Sequence, residues 1–166
     1  MEVIYARNAR VIRRLRAELE KKLNVKIGFV GNKISVEGNS LDEYSALKVF
    51  DAFNFGFSIK KALLLKQENF VFRKVHIKEF TKRNLKDIMA RLIGKHGKTR
   101  KTLSDISRCE VLVEEGEVGI VGYADDVDNV EVAIVNLIKG SKTANMYMYL
   151  ERMNREEKSD FDLGLK

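Results

Sequence analysis

Hydrophobic and polar residues alternate along the chain with two different periods. Apolar residues at every third or fourth position predict one face of a helix, and strict alternation with polar residues predicts a strand. The helical period predicts helices over 8–23, 41–54, 84–93, 98–107, 125–139 and from 143 onward. The twofold period predicts strands over 2–6, 25–30, 33–37, 73–80, 110–115 and 118–122. The pattern therefore predicts an α+β fold.

The helix predicted over 41–54 has a start signal and an apolar side of its own. Ser40 precedes it, and a serine hydroxyl commonly accepts a hydrogen bond from the free amides that begin a helix. The apolar residues on one side of this helix are Leu41, Tyr44, Leu47, Phe50 and Phe53. We therefore expect Ser40 to cap this helix.

The order strand, helix, hairpin, helix occurs twice along the chain. Gly38 and Gly122 end the two predicted hairpins at corresponding points, which indicates an internal repeat. The segment 55–72 is too apolar for a solvated linker and predicts a packed connector. The sequence therefore predicts two domains, 1–70 and 71–156, each with a three-stranded antiparallel sheet packed on helices, and a polar tail over 157–166.

The most specific motif is Gly94-Lys95-His96-Gly97, which joins two predicted helices and is followed by a hairpin. This arrangement resembles a type I KH domain, in which a G-x-x-G loop clamps about four nucleotides of single-stranded nucleic acid. Glycine at both ends allows a sharp turn and a close approach of phosphates. The free amides at the start of the next helix favour an anion. The second domain is therefore predicted to bind single-stranded RNA.

The candidate RNA-binding residues surround this loop and form two groups. Polar and basic residues near the glycines would attract phosphates in a salt-dependent manner, and apolar residues would line a groove for the bases. The first group is Arg91, Gly94, Lys95, His96, Gly97, Lys98, Thr99, Arg100 and Lys101. The second group is Ile93, Leu103, Val111 and Val113.

Two other interpretations of the same loop are available. Paired glycines can simply end a helix. Gly97-Lys98-Thr99 also matches the end of the P-loop pattern G-x-x-x-x-G-K-[ST], but Leu92 stands where that pattern requires glycine, and a predicted helix precedes it instead of a strand. The order and length of the neighbouring elements favour the KH interpretation over both.

The first half of the chain contains no obvious G-x-x-G. The nearest register is Ala6-Arg7-Asn8-Ala9, where alanine replaces both glycines. Only a short strand precedes it, so the separate first helix of a KH domain is predicted to be absent. The following helix has a second candidate basic face, which either contacts RNA or is solvated or meets protein. Its residues are Arg7, Arg10, Arg13 and Arg14.

Charge is distributed in blocks along the chain. The net charge is +7 on 166 residues, but 73–108 has 12 basic and 3 acidic residues, whereas 109–138 has 8 acidic residues and no Lys or Arg. A polyanion is therefore expected to meet the basic block, which contains the 94–97 loop. The acidic block is a solvated edge, a docking surface for a basic protein, or a source of repulsion that keeps RNA on the other face.

No constellation typical of an enzyme is present in the sequence. His76, His96 and the one cysteine, Cys109, lie in different elements without metal-ligand spacing, so no catalytic residue, metal or cofactor is predicted. Cys109 is predicted to be a core thiol, and a chain with a single cysteine suits a reducing, cytoplasmic compartment. No run of about 18 apolar residues predicts a membrane span.

With a tandem KH plan and the GKHGKT stretch, the chain resembles the partner-of-Nob family of two-KH-domain assembly factors of the small ribosomal subunit. The resemblance covers nearly the whole chain. Its most specific stretches are Phe55-Gly56-Phe57-Ser58, RLIGKHGKTRKTL over 91–103, and Ile138-Lys139-Gly140-Ser141. Arg100 also follows this family's pattern, since many other KH domains have an apolar residue there. His96 departs from it, because the family often has glycine at that position.

The resemblance implies a function and partners. It implies binding of single-stranded rRNA near the 3′ end of the small-subunit rRNA, within the precursor of the small ribosomal subunit. It also implies cooperation with a PIN-domain endonuclease of the Nob type, and a first KH domain that has lost its G-x-x-G loop. A translational regulator, an RNA-decay adaptor and a protein-interaction scaffold with incidental RNA binding are the alternative functions.

Overall fold

The computed structural model describes residues 1–164, which form two compact units. The first unit is Met1–Phe70, and the second begins at Val71. Each unit contains one three-stranded antiparallel sheet packed on helices. The α+β fold predicted from the two hydrophobic periods is thus confirmed.

The first unit contains three strands and four helices. Its elements are β1 Glu2–Tyr5, α1 Ala9–Arg14, α2 Arg16–Leu23, β2 Lys26–Val30, β3 Lys33–Glu37, α3 Ser40–Phe55 and α4 Ile59–Ala62, followed by a 3₁₀ turn over Leu63–Lys66. The strand order is β1-β3-β2, and β3 pairs antiparallel with both neighbours. Alternate strand residues such as Ile27, Ile34 and Val36 are fully buried, so one face of this sheet packs on the helices.

Two helices of the first unit differ in detail from the prediction. The helix predicted over 8–23 is interrupted at Leu15 (φ −98°, ψ 9°), which separates α1 from α2. The helix α3 is capped by Asn39 and not by Ser40, because the Asn39 side chain accepts a hydrogen bond from the Asp42 amide at 2.9 Å. Asparagine is as good a capping residue as serine. The residue types alone therefore could not decide which of the two neighbours, Asn39 or Ser40, caps the helix.

The second unit follows the same plan with an additional helix before its loop. Its elements are β4 Phe70–His76, α5 Leu85–Ile93, α6 Lys98–Ser107, β5 Glu110–Glu114, β6 Glu117–Tyr123, α7 Ala124–Ile138 and α8 Thr143–Asp162. The strand order is β4-β6-β5, so β5 lies at the edge of the sheet. One hydrophobic cluster fills this unit, with Ile120 and Ile134 among its fully buried members.

Two boundaries in the second unit differ from the prediction. β4 ends at His76, because Ile77 begins a 3₁₀ turn. The last helix continues through Asp162, into the predicted polar tail. Its polar end is anchored, since Arg108 forms an ion pair with Glu157 (2.5 Å) and the Asn154 side-chain amide donates to the carbonyl of Ile106 (2.8 Å).

The two units share one register from the loop region to the long helix. Asn24 and Arg108 end α2 and α6 in the left-handed conformation (φ 53° and 60°) and lie 84 positions apart. The same separation relates Gly38 to Gly122, and the first residue of α3 to the first residue of α7. The repeat predicted from the hairpin glycines therefore extends without insertion or deletion across the hairpin.

The first unit has no counterpart of α5 among its described residues. The Ala6 amide donates to the carbonyl of Asn32 (2.7 Å), just as the Ile77 amide donates to that of Gly116 (3.1 Å). Ala6 and Ile77 therefore follow equivalent strands. In the second unit α5 comes next, whereas in the first unit the chain enters α1 at Ala9.

Gly122 lies in close contact with Cys109. A Cβ atom at position 122 would lie 2.6 Å from the Cys109 Sγ atom, and both residues are buried. We expect Gly122→Ala to lower the free energy of unfolding by about 1–3 kcal/mol, because overpacking forces neighbouring atoms to shift. Urea unfolding followed by circular dichroism measures this change.

Gly38→Ala is the matched control for Gly122→Ala. The added Cβ would lie 3.0 Å from Val25 Cγ1 at an exposed site, so the loss of stability should be smaller. Cys109→Ala should cost less in the Gly122→Ala background than in the wild-type chain, since the sulfur is the atom in conflict. Additive costs of the two substitutions would contradict this explanation.

Candidate nucleic-acid interface

The 94–97 loop makes a tight turn between α5 and α6 that depends on positive backbone angles. Gly94 (φ 76°, ψ 174°) ends α5, and its amide donates to the carbonyl of Ala90 at 2.8 Å. The Gly97 amide then donates to the Gly94 carbonyl at 3.2 Å, and Gly97 (φ 72°) starts α6. His96 also has a positive φ of 54°, which is uncommon for a residue with a side chain. The loop therefore presents His96 on a constrained and exposed turn.

Glycine at position 94 is required by the next helix. A Cβ atom there would lie 2.7 Å from the backbone nitrogen of Thr99 and would also collide with the Thr99 hydroxyl. The backbone of the loop therefore lies directly against the first turn of α6. This contact keeps the amides of that turn beside the loop, where a phosphate would meet them.

The start of α6 has the electrostatic character of an anion site. In the described part of the chain, 1–164, no side chain caps this helix, and its first turn contains no acidic residue. Lys98 and Lys101 are exposed there, as are Lys95 and His96 in the loop. Cations at a helix N-terminus oppose the helix dipole, so a bound anion would relieve an unfavourable arrangement. Within residues 1–164, none of these four side chains has an acidic partner.

Two arginines of the predicted site are held by backbone carbonyls. The Arg100 guanidinium donates to the carbonyl of Val111 (3.2 Å), which connects α6 to the edge strand β5. The Arg91 guanidinium donates to the carbonyl of Ser141 (2.5 Å). Both side chains are half-buried, and neither is neutralised by a carboxylate in the described part of the chain. They therefore contribute positive charge at fixed positions on either side of the loop.

The predicted apolar lining of the groove requires a correction. Leu103, Val111 and Val113 are 1%, 2% and 9% exposed and belong to the hydrophobic core of the second unit. Their positions on the inward face of α6 and β5 bury them under the helices, so they cannot also present their side chains to bases. Ile93, at the end of α5, is only half-buried and remains accessible beside the loop.

The structure gives a different register for the loop equivalent in the first unit. Asn24 ends α2 and Arg108 ends α6, and the same separation of 84 positions relates residues 10–13 to the 94–97 loop. Residues 6–9, the register expected from the sequence, are therefore not the equivalent of the loop. Residues 10–13 lie within α1, which starts at Ala9. Arg10 and Arg13 therefore occupy the places of the two glycines, and a helical turn replaces the open loop.

Side chains from the helices α1 and α2 of the first unit contact its edge strand β2. The Arg13 guanidinium lies over the Phe29 ring at 5.0 Å. Glu20 accepts hydrogen bonds from the backbone amide of Ile27 on β2 (2.8 Å) and from Arg16 (2.9 Å). These bonds, led by that of the Ile27 amide, lower the pKa of Glu20. The edge of β2 is therefore bonded to a side chain of its own unit, just as the edge of β5 is bonded to Arg100.

The four arginines of the second candidate face are all exposed. Arg7 is partly committed to the fold, because its backbone amide donates to the Asn54 side chain (3.0 Å) and its guanidinium to the Phe55 carbonyl (3.5 Å). Arg10 and Arg14 have no ion-pair partner among the described residues. The face is therefore a positively charged, exposed surface.

Several residues of the acidic block are paired within the second unit. Arg73 bridges Asp128 and Glu131, and Arg108 bridges Asp126 and Glu157. Asp126 is 7% exposed, and this burial raises its pKa despite the neighbouring guanidinium. These carboxylates have structural partners, and the sequence pattern could not distinguish them from a solvated edge.

The thiol of Cys109 is buried in the second unit. Burial raises the pKa of the Cys109 thiol to about 12, so it is protonated at neutral pH and unsuited to act as a nucleophile. Within residues 1–164 no group of His, Cys, Asp or Glu side chains is arranged to hold a metal ion. No helix in the same residues is long and apolar enough to cross a membrane.

The strand order, the helix pair and the exposed cationic G-x-x-G loop together define the class of the second unit. They are the features of a KH domain, a module that holds single-stranded nucleic acid by its backbone. A family model for the second KH domain of PNO1 proteins, described as a eukaryotic-type KH domain (KH-domain type I), matches residues 71–155. The chain belongs to the PNO1 family of KH-domain proteins, as its sequence resemblance predicted. It is therefore an RNA-binding protein and not an enzyme.

Curated relatives agree with this assignment. A KH domain-containing protein of Methanocaldococcus jannaschii is 26% identical over 157 residues, which cover 89% of this chain and 69% of that protein. The pre-rRNA-processing protein pno1 of Aspergillus fumigatus is 30% identical over 115 residues, which cover 66% of this chain and 46% of that protein. The match thus spans just under half the length of this fungal relative.

Solved structures show the same fold. Dim2p from Pyrococcus horikoshii OT3 is similar with a TM-score of 0.80 and 24% identity, covering 91% of this chain and 98% of that one. A chain in the a/eIF2alpha-aDim2p-rRNA complex from the same organism gives 0.82 and 23%, covering 93% and 94%. A protein of unknown function from Aeropyrum pernix gives 0.87 and 25%, covering 99% and 95%.

Proposed function

We propose that this chain is a non-catalytic assembly factor of the small ribosomal subunit, which binds single-stranded rRNA near the 3′ end of the small-subunit rRNA. The observation that carries the proposal is the 94–97 loop, where exposed cations without acidic partners surround the uncapped start of α6. Relatives described as pre-rRNA-processing proteins, and the similarity to a chain in an rRNA complex, support the choice of rRNA as the ligand.

The two units have different roles in the proposed function. The second, over 71–156, holds RNA, and the first, over 1–70, is a degenerate KH domain that acts as scaffold and protein contact. The helical turn of the first unit supports this division, because Arg10 and Arg13 stand within α1 at the places of the two glycines. The arginine face of α1 remains available for a partner.

The proposed partners follow from the family resemblance. They are the precursor of the small ribosomal subunit and a PIN-domain endonuclease of the Nob type, which would trim the rRNA 3′ end while this chain holds the neighbouring strand. A role on precursor ribosomal particles implies a cytoplasmic location.

Crosslinking in cells followed by sequencing of the bound RNA tests the proposed function. We expect reads to concentrate at the 3′ end of the small-subunit rRNA and its precursor, and to fall sharply when Lys95 and His96 are replaced by aspartate. Reads scattered over messenger RNAs would instead favour a translational regulator. A crosslinking pattern unchanged by the loop substitutions would remove the 94–97 loop as the RNA site.

A further inference from the structure

Two backbone hydrogen bonds close the turn between α7 and α8. The Gly140 amide donates to the Leu137 carbonyl (3.1 Å) and the Ser141 amide to the Asn136 carbonyl (3.0 Å), which is the double bond pattern of a Schellman motif. Gly140 has a φ of 119°, as this motif requires at its glycine position. The turn therefore has a defined backbone geometry on the second unit.

Basic side chains are arranged around this turn by specific contacts. The Arg83 guanidinium lies against the Gly140 backbone, since a Cβ atom at position 140 would be 3.3 Å from both of its terminal nitrogens. The Lys139 ammonium lies 5.8 Å from the centre of the Phe80 ring. Lys142 precedes α8 and is exposed. We call Arg83, Lys139 and Lys142 the turn cluster.

The turn cluster has no acidic partner among residues 1–164. This distinguishes it from Arg73 and Arg108, which the second unit pairs with carboxylates. Cations near a helix C-terminus do interact favourably with the helix dipole. Arg91 bonds to the carbonyl of Ser141 in the turn after α7, so it adds a further cation beside the same turn.

The turn cluster adjoins the 94–97 loop. Arg91, which contacts the turn, lies in the last turn of α5, directly before Gly94. Arg83 precedes the first turn of the same helix, which is nine residues and so about 13 Å long. A single strand leaving the loop along α5 would reach the turn cluster within a few nucleotides.

We propose that the turn cluster binds phosphates of single-stranded RNA beyond the nucleotides clamped by the 94–97 loop. The inference rests on the proposed RNA-binding function and extends it from one loop to a track along α5. Contacts with phosphates alone give affinity without reading bases, so this surface lengthens the RNA footprint and leaves base preference to the loop region.

Length-dependent binding tests this inference. The probes are a 5-nucleotide and a 12-nucleotide single-stranded RNA with the same central sequence, measured by fluorescence anisotropy. In the variant Arg83→Gln with Lys139→Gln and Lys142→Gln, affinity for the 12-nucleotide RNA should fall about fivefold or more, while affinity for the 5-nucleotide RNA stays within about twofold. The slope of log affinity against log salt for the longer RNA should decrease by about 2, since three phosphate contacts are lost.

The matched control replaces three exposed lysines of the first unit, Lys21→Gln with Lys33→Gln and Lys60→Gln, and should leave both affinities nearly unchanged. The double variant Lys139→Gln with Lys142→Gln, which keeps Arg83 against Gly140, should show a smaller effect of the same kind. Equal losses for both RNAs, or no loss for the longer one, would overturn the inference. If the wild-type chain binds neither RNA, the proposed RNA-binding function itself fails.

Discussion

Replacing Lys95 and His96 by aspartate should weaken binding to single-stranded small-subunit rRNA by at least about tenfold, because phosphate contacts supply much of the affinity of such sites. Both side chains are exposed on the turn before α6 and have no acidic partner in the described chain. Aspartates there would face the incoming phosphates at the helix start. Anisotropy titrations at one fixed salt concentration measure the change.

The control for this variant carries the same change in charge elsewhere. Asn32→Asp with Lys33→Asp alters the exposed hairpin turn of the first unit and should leave RNA affinity within about twofold. Thermal unfolding of both variants should stay close to that of the wild type, since neither pair of side chains is buried. An unchanged affinity of the loop variant would exclude the 94–97 loop as the RNA site.

Gly94→Ala should lower the free energy of unfolding by about 3 kcal/mol and reduce RNA affinity by about tenfold, without changing any charge. The backbone of Gly94 adopts a conformation that is essentially restricted to glycine, and the new methyl group would lie 2.7 Å from the Thr99 nitrogen. A backbone atom cannot yield as a flexible side chain does. The first turn of α6 must therefore move, and its amides move with it. Urea unfolding and anisotropy measure the two effects.

Comparing Gly97→Ala with Gly94→Ala separates the cost of a left-handed backbone conformation from the cost of a steric collision. At position 97 the nearest atom to an added Cβ is the Arg100 guanidinium at 4.0 Å, so only the left-handed conformation opposes alanine, at about 1–2 kcal/mol. Gly94→Ala should thus be clearly the more damaging of the two substitutions. Equal effects would show that the contact between Gly94 and Thr99 is not what makes the loop require glycine.

The periodicity of the sequence was sufficient to predict most elements, because burial on one face imposes the spacing of apolar residues. The helix α3 shows where hydrophobic periodicity fails to predict which residues are buried. Leu41 and Tyr44 fit the apolar period but are 73% and 61% exposed, whereas Ala46 and Val49 are fully buried. Ala and Val at close-packed positions leave a weaker pattern than large side chains on the surface.

The loop itself could be predicted from sequence, but its surroundings could not. A G-x-x-G motif is local, so its glycines and neighbouring cations can be identified directly from the sequence. Val111 was assigned to the groove and lies in the core, because periodicity does not tell which layer an inward residue faces. The bond from Arg100 to the Val111 carbonyl joins a helix to a strand, and only the folded chain shows it.

The side-chain contacts at β2 of the first unit could not be predicted from the sequence for a similar reason. Nothing in the spacing of Arg13, Glu20 and Phe29 indicates that they meet at one strand edge. The left-handed residues Asn24 and Arg108 fix the register between the two units, and they are identified by the backbone angles of the folded chain. From the sequence alone, residues 6–9 are the nearest register for the degenerate loop, with alanine in place of both glycines.

Because the two units share one register, equivalent residues of the first and second unit can be compared directly within one molecule. What both copies keep, such as the left-handed residue at the helix end and the glycines at Gly38 and Gly122, belongs to the making of the sheet and its hairpin. What only the second copy has, such as α5 and the glycine pair at 94 and 97, belongs under the proposed function to holding RNA. A duplicated domain of this kind separates the requirements of folding from those of binding within one chain, without reference to any other protein.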